Sequence, residues 1–447
     1  MSVKINHFDF PLPPGVSKYL HKYIAGNWEL LLPEKRKFES VVVIPTLAEY
    51  ENLRKLLASL IKNDKSYFDK FLILFVVNNI KNISSVVIEE NRKSIHFLSG
   101  IIDRNSNDLF AREVEKSGLN IGLIDASGKG KELSAKTGGV GLARKIGMDL
   151  ALNVLDYQTR NNNLLICLDS DCTVEENYLA AIYKRAALKD FSAGYVRFEH
   201  PVDINPYSEA IILYEIFLRY YTLGLKYAES PYAFYTIGST MISDYKAYVS
   251  VEGMNKRKAA EDFYFMEKLA KRFEIKEIRD TVIYPSPRGS WRVPFGTGKA
   301  VEKFLESERK DFKLHSPQSF LILKKWLSAF NESKDDSASS LLNKAGKILP
   351  ELKEFLVSQK FEDAWNRIAA SSKTSEQLEK QKKFWFDGFR TLKLIHFLRD
   401  SVYPDIDGFE ALRQMFILNK FETPMNKSGK NRISLGMEYL NLLRKKV

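Results

Sequence analysis

The sequence predicts an α/β fold, a mainly parallel sheet flanked by helices, with a helical C-terminal domain. Three observations carry this prediction. Short apolar runs recur from Ser40 to about residue 200, amphipathic helical patterns fall between them, and the strand signals fade after about residue 300. The runs are Val41–Ile44, Phe71–Val77, Asn120–Ile124, Leu164–Leu168 and Ala193–Phe198. Short apolar or β-branched runs bounded by polar turns fit strands buried on both faces. Between them, Glu51–Lys62 carries Leu53, Leu56, Leu57 and Leu60 on one face. Val140–Leu155 carries Val140, Ala143, Gly147, Leu150 and Val154 at helical spacing. Alternation of strand and helix implies a parallel sheet.

Residues 1–39 read as a polar and aromatic leader with Pro11, Pro13, Pro14 and Pro33, expected to form a wrapped arm. The leader lacks the basic start and continuous apolar core of a signal peptide. In the tail, Leu321–Phe330, Leu341–Gln359, Gln377–Arg399 and Phe409–Phe421 read as amphipathic helices. Ile211–Ala228 comes nearest to a membrane span, but Glu215, Arg219 and Lys226 make it an amphipathic or buried helix. Of 447 residues, 45% are hydrophobic and 28% charged, which excludes collagen, an extended disordered chain and a polytopic membrane protein. Sixty-eight Lys and Arg against 56 Asp and Glu leave +12, a surface that favours anionic partners. Two cysteines, Cys167 and Cys172, cannot build a secreted disulfide framework. The expected location is cytoplasmic, with peripheral contact at the inner face of a membrane left open.

Chemistry concentrates at the carboxyl ends of the expected strands. Leu164–Leu168 runs into Asp169-Ser170-Asp171, where α/β sheets bind ligands. Two such carboxylates suit Mg2+, which adds substrate phosphates to one or two protein ligands. The alternative is a helix cap, with Thr173, Glu175 and Glu176 starting a helix over Asn177–Leu188. The first strand stops at Pro45-Thr46, and Glu49 precedes the first helix; both can contact a nucleoside. The second strand ends in Asn78-Asn79. Gly138-Gly139-Val140-Gly141 then leads into a helix bearing Arg144 and Lys145, which suits phosphate, although close helix–sheet packing explains the glycines equally well. Beyond Tyr235–Thr240, Glu261-Asp262 opens the stretch Phe263–Arg272. Carboxylates there complement the helix dipole, or one can take a proton from an attacking hydroxyl. Arg288 and Arg292 suit a phosphate clamp and Trp291 a sugar face, or the Trp simply anchors the loop.

In this order the elements resemble the family 2 glycosyltransferases, which have the GT-A fold, over about residues 40–300. The resemblance implies a Rossmann-like GT-A domain over 40–300, between an N-terminal arm at 1–39 and a helical domain at 301–447. It implies donor contacts from Pro45, Thr46, Glu49, Asn78, Gly139, Arg144, Asp169 and Arg288. Asp171, with Asp169, would hold Mg2+ or Mn2+. Asp262, beside Glu261, would be the catalytic base, and Trp291 and Arg292 would meet the acceptor. The expected reaction is inverting transfer of a sugar from a nucleotide diphosphosugar to a carbohydrate or lipid-linked acceptor. Asn78-Asn79-Ile80-Lys81 departs from the family's Asp-Asp-Gly-Ser, which leaves the base open. Lys145 replaces the usual Asn, as a cation over the diphosphate or a solvated one. The Gln-x-x-Arg-Trp motif of processive synthases is absent.

Two other classes stay open. A sugar nucleotidyltransferase can share the sheet and acid pair, but Pro45-Thr46-Leu47-Ala48 is not its Gly-rich loop with Arg. A non-catalytic GT-A-like binding protein is the second, against which the retained Asp169, Asp171 and Asp262 argue. The Gly128–Lys131 and Gly296–Lys299 loops fall short of a P-loop. His200 or His315 is the candidate for an additional metal ligand. Nucleic acid has only net charge in its favour, so no nucleic-acid partner is expected.

Overall fold

The computed structural model describes residues 2–202, 208–287, 312–333, 336–424 and 431–447. Arg288, Trp291 and Arg292 lie outside them. The chain divides into two units. One takes in the residues up to Pro201 together with Thr236–Ser286; the other takes in Val202–Tyr235 and the described residues from 312 onward.

The first unit is built on a mixed ten-stranded sheet. Its strands are β1 (Val3–Ile5), β2 (Leu30–Leu32), β3 (Ser40–Thr46), β4 (Phe71–Asn78), β5 (Asn120–Ala126), β6 (Leu164–Cys167), β7 (Cys172–Val174), β8 (Ala193–Phe198), β9 (Met241–Asp244) and β10 (Ile275–Pro285). Across the sheet they run β1-β2-β5-β4-β3-β6-β9-β8-β10-β7. The pairings of β3 with β4 and β6, β4 with β5, and β8 with β10 are parallel, and the remaining antiparallel ones are short. Every residue of β3 and β4 is buried, as apolar runs without alternation require. Each Val, Leu, Ile or Phe so buried contributes about 1.5–3 kcal/mol. Helix Tyr50–Leu60 buries Leu53, Leu56, Leu57 and Leu60, its expected face. Helix Val140–Val154 lies hard on the sheet because Gly147 has no side chain; a Cβ there would stand 2.8 Å from Val76 Cγ2.

Strands β3, β4 and β5 step outward in one direction, and β6 returns to the other side of β3. Ligands bind outside the carboxyl ends of strands at such a switch point. The β3–β6 register runs from Ser40–Leu164 to Val43–Cys167. Leu168 N still donates to Val43 O at 3.1 Å, and then the chain leaves the sheet. Pro45 faces the same side as Val43, two residues on, so its missing N–H points where β6 has already departed and costs no ladder bond. Residues 2–39 are part of this unit: β1 and β2 extend the sheet beyond β5.

The second unit is predominantly helical. Helix Ser208–Tyr227 packs along helix Arg432–Lys446. Glu215, fully buried, accepts from Arg219 Nε and from Arg444 Nε and Nη2, each at 2.8 Å. Two of the three charges that interrupt the apolar stretch, Glu215 and Arg219, thus form a buried ion pair, and Lys226 Nζ donates to Val447 O at 2.7 Å. No helix among the described residues is long and apolar enough to cross a membrane. Two expected helices are each divided. Leu341–Gln359 becomes Ala338–Ile348 and Pro350–Ser358, because Pro350 cannot continue the ladder and instead starts a new helix. Gln377–Arg399 becomes Ser375–Trp385 and Gly388–Ser401, because Asp387 caps the second by accepting from Arg390 N at 2.9 Å.

Candidate active site

The site begins where β3, β4 and β6 end. Thr46 is buried and its hydroxyl donates to Ile44 O at 3.3 Å. Glu49 is buried at the start of helix Tyr50–Leu60, where Oε2 accepts from Asn52 Nδ2 at 2.6 Å. Asn91 joins this corner to β4: its Nδ2 donates to Asn78 O at 3.0 Å and its Oδ1 accepts from Ala48 N at 2.9 Å. Asn78 and Asn79 are buried, and the Oδ1 atom of each lacks a hydrogen-bond partner among the described residues. An unmatched buried amide oxygen costs about 1–3 kcal/mol, which a ligand N–H or a water removes.

Asp169 and Asp171 flank the turn between β6 and β7, closed by Cys172 N donating to Asp169 O at 3.1 Å. The helix-cap alternative for this stretch fails. Thr173 lies in β7, and the next helix starts only at Tyr178, without a side-chain cap.

Arg144 connects the acids. It is 2% exposed; Nη2 donates to Asp169 Oδ1 at 2.5 Å and Nη1 donates to Glu261 Oε1. One guanidinium thereby joins side chains 25 and 117 residues away. Gly238 gives it room, since a Cβ there would stand 2.8 Å from Arg144 Cζ. Burial alone would lower the Arg144 pKa, but Asp169 and Glu261 together outweigh it and hold the group above its usual value. Sequence reading left Gly238 without a role, and no local signal marks it, because its partner is 94 residues earlier in the chain (238 − 144).

Glu261 and Asp262 open helix Glu261–Ala270, preceded by Ala260 in the left-handed region at φ +57°. Asp262 Oδ1 accepts from Phe263 N at 2.7 Å. Burial first, and then the Glu261 charge, push the Asp262 carboxyl up to about 7, with Arg144 opposing.

The glycine-rich turn is covered by backbone. A Cβ on Gly139 would stand 3.2 Å from Lys258 Cα, and one on Gly141 would stand 2.6 Å from Arg257 O and 2.9 Å from Glu261 Cβ. Close packing therefore accounts for these glycines. Lys145 is neither over a diphosphate nor solvated: it is 2% exposed, with Nζ 3.0 Å from Asp149 Oδ2 and 2.7 Å from Tyr19 Oη. The Gly128–Lys131 loop folds around Asp125, whose Oδ1 accepts from Ser127 N at 3.0 Å and Gly128 N at 2.9 Å.

Both cysteines are free and buried, and burial pushes the Cys167 thiol up to about 12. His200 is buried beside the Phe198 ring. His315 belongs to the second unit, where its Nδ1 lies 2.8 Å from Asp405 Oδ1. Among the described residues, no group of three or more His, Cys, Asp or Glu side chains is placed to hold a metal ion.

No protein-family model matches this chain, and neither does any curated protein. Solved structures with a similar course of the chain do exist. The mannosyltransferase PcManGT from Pyrobaculum calidifontis, in complex with GDP-Man and Mn2+, is similar over 87% of this chain and 94% of its own, at 13% identity and a TM-score of 0.36. Residues 1–349 of TarS from S. aureus, in complex with UDP-GlcNAc, are similar over 77% of this chain and 88% of their own, at 14% identity and a TM-score of 0.33.

Proposed function

We propose that the chain is a metal-dependent inverting glycosyltransferase that moves a sugar from a nucleotide diphosphosugar to an acceptor hydroxyl, with Asp262 as base. One observation carries the reading: Arg144 ties Asp169, at the end of β6, to Glu261, beside Asp262. Acids that are remote in sequence thus meet beside the switch point of the sheet.

Asp171 and Asp169 are the side chains that would hold Mg2+ or Mn2+. Their hard oxygens fit a cation that completes its shell with donor phosphate and water and needs no third protein ligand. When bound, such an ion neutralises charge on the departing nucleoside diphosphate. The rest falls to the chain. In this reading Asp171 would be the principal ligand, as the family resemblance implies, and Asp169 also holds Arg144. A carboxylate poised near pH 7 suits proton removal at neutral pH, and Asp262 has that character. In one displacement the acceptor oxygen bonds to the anomeric carbon as its proton passes to Asp262. The bond from that carbon to the diphosphate breaks, and its electron pair leaves with the diphosphate. The amide oxygens of Asn78 and Asn79 accept N–H groups of the base, while Pro45, Thr46 and Glu49 line the nucleoside edge. Arg288 would add to the donor side, and Trp291 and Arg292 to a carbohydrate or lipid-linked acceptor.

Thermal-shift titration of UDP, GDP, CDP and dTDP, each with and without Mn2+, tests the reading. A metal-dependent rise in Tm with one nucleotide, lost in Asp171→Ala, is expected. No shift with any of the four would overturn the donor site.

A further inference from the structure

We propose that the loop Asn255–Ala260 is a subsite for phosphate groups of the acceptor, so that the substrate receiving the sugar is a phosphate-bearing molecule. The inference rests on the glycosyl-transfer reading above and names its acceptor class. Its basis is a run of three consecutive cations, Lys256, Arg257 and Lys258, all exposed. Among the described residues none of the three forms an ion pair with a carboxylate. Cations such as Arg54, Lys131 and Lys276 pair with Asp108, Asp125 and Asp190, whereas this run sets three cations side by side. Adjacent unpaired cations repel one another, and an anion relieves that repulsion.

The loop is also held in one shape. Asn255 Oδ1 accepts from Arg257 N at 3.1 Å, and Asn255 Nδ2 donates to Glu261 O at 2.9 Å, which closes the loop onto the helix carrying Asp262. The Arg257 guanidinium rests on the Tyr264 ring, 3.9 Å from its centroid. Its carbonyl presses on Gly141 and excludes a side chain there, while Lys258 Cα crowds Gly139. A polar surface ordered in advance loses little entropy on binding. Arg144 offsets part of the charge of the nearby Glu261 and Asp169 carboxylates. The amino end of helix Val140–Val154, beneath the loop, adds positive potential.

Chain connectivity joins this loop to the base, since Asn255 Nδ2 donates to Glu261 O next to Asp262. In an inverting displacement the base faces the incoming hydroxyl, on the side away from the leaving group. Residues 256–258 and Asp262 belong to one closed loop and helix start. The donor diphosphate, by contrast, is assigned to Asp169 and Asp171 with their cation. Phosphates on the acceptor are what this loop would grip as a hydroxyl is delivered to Asp262.

The test compares the full-length protein with a Lys256→Ser/Lys258→Ser variant, leaving Arg257 on Tyr264. Inorganic tripolyphosphate is titrated calorimetrically without metal, at low and high salt. Wild type should bind in a salt-sensitive way and the variant at least about tenfold more weakly, the worth of one charge-assisted bond. The variant should keep the wild-type Tm and its nucleotide response with Mn2+. Equal binding by both proteins, or none by either, overturns the proposal. So does a variant that loses nucleotide binding in parallel, since the cations would then serve the donor. If no nucleotide binds but the lysine-dependent tripolyphosphate binding stands, the donor reading fails and the phosphate subsite does not. Sedimentation with phosphatidylglycerol–phosphatidylcholine vesicles identifies the source. Lysine-dependent retention assigns the phosphate to a lipid headgroup, and no retention assigns it to a soluble acceptor.

Discussion

Arg144 and Lys145 are neighbours on one helix, both 2% exposed, yet they belong to two buried charge clusters of different kinds. Lys145 meets Asp149 and Tyr19, and Asp149 Oδ1 also accepts from the hydroxyls of Tyr19 and Tyr248, each at 2.8 Å. That cluster is closed, and it fastens helix Pro14–Tyr23 of the leader to the sheet unit. Arg144 instead meets Asp169, whose side chain is 33% exposed, and Glu261, whose neighbour Asp262 is also partly open to solvent. That cluster opens at the switch point. Two buried cations of equal exposure thus serve opposite ends, and the difference lies in whether their acids continue outward to a place where a substrate can stand.

The sharpest way to break this comparison is at the open cluster. Asp262→Asn should lower release of nucleoside diphosphate from the matching sugar donor by about 10²–10⁴-fold, the usual worth of a positioned base. Nucleotide affinity with Mn2+ should hardly move. Near-normal turnover in this variant would remove Asp262 from the base role.

At the closed cluster the effect should be on folding. Lys145→Met leaves Asp149 buried without its cation and should cost about 3–5 kcal/mol in urea unfolding. Lys145→Met/Asp149→Leu should recover much of that loss, and the folded double variant should still bind nucleotide. A stable Lys145→Met protein that had lost nucleotide binding would show that the clusters are not distinct.

The smallest expected effect is on pH dependence. The folded-state value of Asp262 lies above its unfolded one, so the folded protein holds the proton more tightly. Stability should therefore fall as pH rises from about 4 to about 7 and then level off. Over the same range the donor reaction should speed up as the base ionises. Asp262→Asn should flatten the stability profile and gain about 1–2 kcal/mol over wild type at pH 8, measured by chemical denaturation at pH 5 and pH 8.

The central strands were legible because burial on both faces leaves an uninterrupted apolar run, as in Phe71–Val77, which extends by one residue to Asn78. Strands β1, β2, β7 and β9 were not legible. Each is only three or four residues long and depends on a neighbour for its pairing. Tail helices were legible as apolar periodicity, but the breaks at Leu349–Pro350 and Asp387–Gly388 sit inside that periodicity, where a proline in the first case and a cap in the second override the pattern. At the site, the Asp169/Asp171 and Glu261/Asp262 pairs could be read from strand ends and helix starts. The basic run 256–258 was not legible as a site, because exposed cations are ordinary until the closed shape of their loop is known.

The sequence alone determined the alternation of buried strands and amphipathic helices, and the kinds of acid that stand at their ends. Those are local properties of side-chain size, branching and spacing. Only tertiary structure decided which acid each cation would meet, which glycines were under another backbone, and that the Ile211–Ala228 stretch, as helix Ser208–Tyr227, would pack with the C-terminal helix. Such choices depend on partners as many as 229 positions apart, as Glu215 and Arg444 are, and nothing in either local stretch names the other.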